Sequence, residues 1–131
     1  MVWVELVTVL AVVQFAIFGF LVGAARMKYN VPAPAMSGNE IFERAFRVHM
    51  NTLETLILFL PSLWIAALHW SPQWSAVLGA VYLIGRQIYR QSYMRDPQKR
   101  GPGYGLSFLP AAILAVMALG GIVRELLRAA G

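Results

Sequence analysis

The chain has 131 residues, of which 59% are hydrophobic and only 13% are charged, and 11 basic against 6 acidic residues give a net charge of +5. An ordinary soluble domain carries about 45–50% apolar and about 25% charged residues, and so short a chain cannot hide its excess of apolar side chains in a larger core. The composition therefore excludes a disordered chain and an ordinary soluble domain, and it predicts one domain, residues 1–131, whose surface faces lipid.

Four hydrophobic segments joined by three polar connections predict four antiparallel transmembrane helices. The predicted helices are residues 2–25, 41–68, 74–93 and 106–127. The predicted connections are residues 26–40, 69–73 and 94–105, which hold the Pro, Gly and Asp-Pro signals of turns. The first segment is long enough to span a bilayer and lacks the positive n-region of a signal peptide. Because lipid admits only helices and closed barrels, we expect an all-α integral membrane protein, a four-helix bundle.

The basic residues are distributed unevenly along this layout. Nine of them flank the first and third connections, two lie at the C-terminus and none lies in the second connection. The positive-inside rule then predicts that the first and third connections are cytoplasmic and that both termini face the other side. Because the basic residues flank membrane segments, the net charge is a weak argument for a nucleic-acid partner, and we expect none.

A polar stripe runs along the second predicted helix. Arg47, Asn51 and Glu54 are spaced so that they share one helical face, and Arg44 precedes them by one turn. A charge inside a bilayer is costly unless it is paired or hydrated, so the stripe faces another helix or a polar cavity. Two interpretations remain open. Either an ion-pair network such as Arg47 with Glu54 fixes the packing, or the stripe lines a site for a small zwitterionic molecule.

The third predicted helix carries a second stripe, formed by Tyr82, Arg86, Tyr89 and Tyr93. Tyrosines near a helix end are typical of an aromatic belt at the membrane interface. Here they share a face with an arginine and lie on the same side of the membrane as the first stripe, which favours a common site. His49 has no second histidine or carboxylate at ligand spacing on its face, so we predict no metal site.

Three segments resemble signatures of one family. Residues 42–54, FERAFRVHMNTLE, resemble the second-helix signature of the MAPEG family, the membrane-associated proteins in eicosanoid and glutathione metabolism. Residues 82–93, YLIGRQIYRQSY, resemble its third-helix signature. Residues 96–100, DPQKR, resemble the loop that follows in the microsomal glutathione transferase 3 branch. The resemblance covers roughly residues 26–109 and is strongest to microsomal glutathione transferases 2 and 3 and leukotriene C4 synthase.

The resemblance implies a homotrimer that binds glutathione as a cosubstrate at each subunit boundary, near one face of the membrane. The residues implied to hold glutathione are Arg26, Arg47, His49, Asn51, Glu54, Tyr89 and Tyr93. Arg44 and Arg86 match a polar network between helices. Arg100 matches the arginine that stabilises the glutathione thiolate, and a guanidinium can lower the pKa of a thiol from its usual value of about 8.5. The chain itself has no cysteine, so any thiol must come from the substrate.

The implied activity is that of a glutathione S-transferase in which the thiolate attacks a hydrophobic electrophile from the bilayer, with lipid hydroperoxide reduction as a related activity. Thr55 and Met27 stand where leukotriene C4 synthase has a tyrosine and an arginine. These departures favour general conjugation or peroxide reduction over leukotriene synthesis. The expected location is the inner membrane of a bacterium or the endoplasmic reticulum of a eukaryote.

Two other functions compete with this one. A non-catalytic lipid-binding scaffold of the lipoxygenase-activating type shares the fold but lacks the full glutathione constellation, which is present here. A small four-helix transporter needs a titratable carboxylate in an accessible cavity. Glu54 shares its stripe with Arg47, a neighbour that favours the ionised carboxylate and makes it a poor proton carrier.

Overall fold

The computed structural model describes residues 1–131 and contains four long α-helices. They are α1 (Val2–Tyr29), α2 (Glu40–His69), α3 (Pro72–Arg95) and α4 (Gly101–Ala130), with a 3-10 helical turn at Pro97–Lys99 between the last two. α2 packs against each of the other three helices. The predicted all-α, four-helix architecture is confirmed.

Local sequence signals set most of the helix ends. α1 ends at Asn30, which adopts the left-handed conformation at φ 55°. The side-chain oxygen of Asn39 accepts a hydrogen bond from the backbone N–H of Phe42 at the start of α2. Ser71 caps the backbone N–H of Trp74 in the same way at the start of α3. The first connection is therefore residues 30–39 and the second is residues 70–71, so both are shorter than predicted.

The prediction of a loop over residues 94–105 is wrong for most of its length. α3 continues to Arg95, and α4 begins at Gly101. The Gly-Pro-Gly segment at residues 101–103 forms the first turn of α4, where proline is favoured because its missing N–H would have had no helical partner. Arg100 therefore directly precedes a 30-residue helix.

Three of the helices, α1, α2 and α4, are long and apolar enough to cross a membrane by length and composition. α3, whose second half carries Arg86 and Arg90, does not meet that criterion, although its 24 residues exceed the roughly 20 that a span requires. Large apolar side chains cover the outside of the bundle, as at Phe20, which is 78% exposed, and Val116, which is 71% exposed. Such a surface is that of an integral membrane protein.

Two glycines allow α3 and α4 to pack backbone against backbone. A Cβ added at Gly85 would lie 2.6 Å from the backbone nitrogen of Ser107. A Cβ added at Gly103 would lie 2.5 Å from the backbone nitrogen of Tyr89. Small residues permit such approach between membrane helices. The contact at Gly103 brings the start of α4, and with it Arg100, beside the second half of α3.

We predict that Gly85→Ala destabilises the bundle, because the new methyl group would overlap the α4 backbone, which cannot turn aside as a side chain can. Overpacking of this kind costs about 1–3 kcal/mol of unfolding free energy. The measurement is thermal unfolding in detergent. Gly105→Ala is the matched control, since no atom lies within 4 Å of a Cβ at that position. Equal unfolding temperatures for the two variants would contradict this account of the α3–α4 contact.

Candidate functional site

An open polar cavity of about 550 Å³ lies where α2, α3 and the first turn of α4 meet. Its size is in the range of about 300–1,000 Å³ that is usual for small-molecule sites. It is lined by Arg47, Asn51, Tyr89, Tyr93, Arg100, Gly101 and Tyr104. Two guanidinium groups, one amide and three phenols face it, and no carboxylate does. This set of groups suits an anionic ligand that accepts several hydrogen bonds.

The structure brings five of the eight predicted site residues to this cavity: Arg47, Asn51, Tyr89, Tyr93 and Arg100. Arg47 and Asn51 lie one turn apart on α2, and Tyr89 and Tyr93 lie one turn apart on α3, with ring centroids separated by 5.6 Å. Arg100 reaches the cavity from the start of α4, where one of its Nη atoms donates a 2.7 Å hydrogen bond to the carbonyl of Pro97. The four-residue spacings on α2 and α3 therefore place both pairs of side chains on the wall of one cavity.

Behind the cavity wall, Arg86 joins α2 to α3 by hydrogen bonds. Its Nη2 donates to Oδ1 of Asn51 at 2.8 Å, and its Nη1 donates to the hydroxyl of Thr55 at 3.1 Å. The Thr55 hydroxyl is in turn 2.9 Å from the phenol oxygen of Tyr82. The guanidinium carbon also lies 4.3 Å from the ring centroid of Tyr89. We call the hydrogen-bonded set of Arg86, Asn51, Thr55 and Tyr82 the Arg86 network.

Arg44 makes a different interhelical contact, nearer the end of the bundle. Its Nη1 donates to the carbonyl oxygens of Met94 and Arg95 at 2.9 and 3.2 Å. Its Nη2 forms an ion pair with Glu40 one turn earlier on α2. The guanidinium thus satisfies carbonyls that the C-terminus of α3 leaves without helical partners.

Three predicted site residues do not line the cavity. Arg26 donates a 2.7 Å hydrogen bond to the carbonyl of Ala35 and lies over the ring of Phe42. His49 stacks on Phe15 of α1 with ring centroids 4.4 Å apart. Glu54 is exposed on the outside of α2. Within a single chain, these residues belong to the outer surface of the bundle or to the contact between α1 and α2.

The ion-pair interpretation of the α2 stripe is wrong for the single chain. Its two ion pairs are Arg44 with Glu40 and Arg128 with Glu125, so Arg47 and Glu54 do not pair. The packing role falls to Arg86, whose hydrogen-bond partners are neutral.

Sequence reasoning missed Thr55 and Tyr104. Thr55 lies one turn after Asn51, a spacing that places both on one helical face and was a usable signal. Tyr104 lies four residues after Arg100, but the wrong loop prediction concealed that relation. Its ring is 6.1 Å from that of Tyr89, which closes the α4 side of the cavity.

Comparison with known proteins gives a consistent result. A model of the MAPEG family matches residues 4–120. An uncharacterized protein of Synechocystis is 45% identical over 95% of this chain and 90% of its own length. Human microsomal glutathione S-transferase 2 is 36% identical over 92% of this chain and 82% of its own. Rat leukotriene C4 synthase is 38% identical over 92% of this chain and 81% of its own length.

The Arg86 network generates a prediction of stability. We expect Thr55→Val to lower the free energy of unfolding by about 1–3 kcal/mol, because it leaves a buried guanidinium donor and a buried phenol without a partner. Thr52→Val is the matched control, since the Thr52 hydroxyl only donates to the carbonyl of Val48 within its own helix. Thermal unfolding of both variants in detergent is the measurement. An equal loss of unfolding free energy in Thr52→Val and Thr55→Val would show that the hydrogen bonds of the Arg86 network make no specific contribution to stability.

Proposed function

The chain belongs to the MAPEG family, and from that premise we propose that it is a membrane-bound glutathione transferase. Similarity to a microsomal glutathione S-transferase and to a leukotriene C4 synthase supports a glutathione-related membrane enzyme. One structural observation supports the more specific assignment as a glutathione transferase. One cavity, which has no carboxylate in its wall, is lined by Arg47 and Asn51 of α2, Tyr89 and Tyr93 of α3, and Arg100 immediately before α4.

The cavity matches glutathione in charge and in hydrogen-bonding groups. Glutathione has two carboxylates and one ammonium group, so it carries one net negative charge, and a second when its thiol ionises. Arg47 and Arg100 supply positive charge, and a guanidinium forms its strongest hydrogen bonds with carboxylates. Asn51 and the phenols of Tyr89 and Tyr93 add neutral donors for the peptide groups. Anion binding is therefore the property that we expect to dominate affinity.

In the proposed reaction, Arg100 stabilises the thiolate electrostatically. Arginine stays protonated at physiological pH, so it lowers the pKa of the bound thiol and does not remove the proton itself, which passes to water. The first turn of α4 adds the positive end of a helix dipole on the same side. The sulfur electron pair then forms a bond to an electrophilic carbon, and the leaving group departs with the electrons of the bond that breaks. The electrophile is a hydrophobic molecule supplied by the bilayer.

In the proposed homotrimer, a neighbouring subunit's cavity receives Arg26, His49 and Glu54. Glu54 is exposed, and Arg26 and His49 are partly exposed, so a second copy of the chain has access to them. The resemblance described above, with glutathione at the subunit boundary, supports this arrangement. The membrane itself would be the inner membrane in a bacterium or the endoplasmic reticulum in a eukaryote.

We predict that Arg100→Ala lowers kcat/KM for conjugation of a standard electrophile at pH 7 by about tenfold or more, because each pKa unit regained by the thiol removes about nine-tenths of the thiolate. Glutathione should still bind, since Arg47 and Asn51 remain. Steady-state kinetics together with calorimetric titration test both parts. Lys99→Ala is the matched control, because Lys99 is an exposed basic neighbour that does not line the cavity. Undiminished turnover in Arg100→Ala would refute the catalytic assignment.

Binding itself separates an enzyme from a lipid-binding scaffold. We predict that the purified protein binds glutathione at millimolar or lower concentration and that Arg47→Ala raises Kd by about tenfold, the scale of one charge-assisted hydrogen bond. Arg128→Ala, which removes a charge from the last turn of α4, should leave Kd unchanged. Isothermal titration calorimetry is the measurement. Failure of the wild-type protein to bind would favour the scaffold.

A further inference from the structure

Arg86 is a buried cation that has no anionic partner in the chain. Its side chain is 0% exposed. Both hydrogen bonds of its guanidinium go to the neutral side chains of Asn51 and Thr55. The two ion pairs of the chain lie elsewhere, at Arg44 and Arg128. The remaining Nε–H of Arg86 is buried without a hydrogen-bond partner.

Such a group requires an explanation, because a buried charge is costly unless an opposite charge compensates it. Arginine cannot relieve the cost by losing its proton. A neighbouring subunit cannot supply the opposite charge by direct contact, since the Arg86 side chain is already enclosed by its own chain. Compensation must therefore act through the residues around it.

The residues around Arg86 also form the wall of the cavity. Asn51 and Tyr89 each contact Arg86 on one side and line the cavity on the other. A molecule in the cavity is thus one side chain away from the guanidinium. Because Oδ1 of Asn51 accepts the hydrogen bond from Arg86, the Nδ2 amino group is the part of that amide left for a ligand. A donor in this position selects a carboxylate or carbonyl oxygen.

We propose that Arg86 is a positioning residue for the glutathione site: it holds the Asn51 amide with its N–H groups toward the ligand, and its charge is balanced by the bound anion. The inference rests on the proposed function, since it takes glutathione as the anion. It adds a determinant of specificity, because a neutral thiol of similar size would leave the buried charge uncompensated. Arg86 acts through Asn51 and Tyr89 and does not touch the ligand.

The size of the effect is measurable. At a separation of about 8 Å and an effective dielectric constant of about 20, one unit charge changes the binding constant of an anion by roughly 30-fold. Access of water to the cavity reduces this to about tenfold. The titratable or charged groups that face Arg86 are Tyr82, Tyr89 and Tyr104, and the cavity adds Arg47 and Arg100. None of these groups, all of which belong to the same chain, is a carboxylate, so a bound anion supplies an opposite charge that the chain itself does not place beside Arg86.

Asn51→Asp gives the sharpest test, because it places a carboxylate of nearly the same shape against Arg86 and supplies the missing charge from within the chain. We expect its unfolding temperature to equal or exceed that of the wild type. We expect Kd for glutathione to rise about tenfold or more, and the pH at which the bound thiol ionises to rise as well. Thiolate absorbance against pH and calorimetric titration are the measurements. Gln87→Glu is the matched control. Because Gln87 faces a groove beside α1, this change should leave Kd and the pH of thiol ionisation unchanged.

Two further variants separate charge from packing. Arg86→Gln keeps a donor toward Asn51 and removes the charge, whereas Arg86→Lys keeps the charge and loses the fork of donors. We expect Arg86→Lys to bind glutathione more tightly than Arg86→Gln. Variants that are less stable but bind glutathione with unchanged Kd and unchanged thiol ionisation would show a purely structural role and overturn the inference. If the wild-type protein binds no glutathione, the proposed function itself is refuted. Titration of the wild-type protein alone distinguishes that result from a failure of the Arg86 inference.

Discussion

The hydrogen bonds of one guanidinium, that of Arg86, determine how the inside of the bundle relates to its cavity. A membrane helix gains little from packing apolar side chains against its neighbours, because lipid is equally apolar. A buried arginine that reaches across to α2 imposes a definite rotation on both helices, since its donors are satisfied only when Asn51 and Thr55 face it. The same rotation turns Arg47 and Tyr93 toward the cavity. The packing of α2 against α3 and the orientation of the side chains that line the cavity are thus consequences of one contact.

The part of the site that sequence reasoning found is the part that helical geometry controls. Arg47 and Asn51, and likewise Tyr89 and Tyr93, are four residues apart, so each pair had to share a face once the segment was helical. The cost of charge in lipid required that face to point inward or into a polar cavity. The convergence of α2 and α3 on one cavity did not follow from spacing alone. It depends on contacts between residues more than thirty positions apart, such as Asn51 with Arg86.

The differences between the predictions and the structure have equally physical causes. Residues 101–103 have the composition of a turn, but tertiary packing selects the helical alternative, in which Gly103 lies directly on the Tyr89 backbone. His49 occupies the same helix as the site residues, yet it is rotated toward α1 and stacks on Phe15. For Arg26 and Glu54, a residue pattern defines the helix face but not the molecule that covers it. The single chain therefore does not test the predictions for those two positions.

The close contact at Gly103 also fixes the angular register of α4. The helix is anchored to α3 three residues after Arg100 and turns by about 100° per residue. Adding or deleting a single residue between Arg100 and Gly103 would therefore swing the guanidinium about a quarter of the way around the helix axis, away from Tyr89 and Tyr93. Length changes before Arg100, within residues 96–99, would leave that angle intact and would alter the path of the connection and the hydrogen bond from Arg100 to Pro97. The segment from Arg100 to Gly103 is accordingly the stretch of this chain in which residue count matters more than residue identity, apart from the glycine itself.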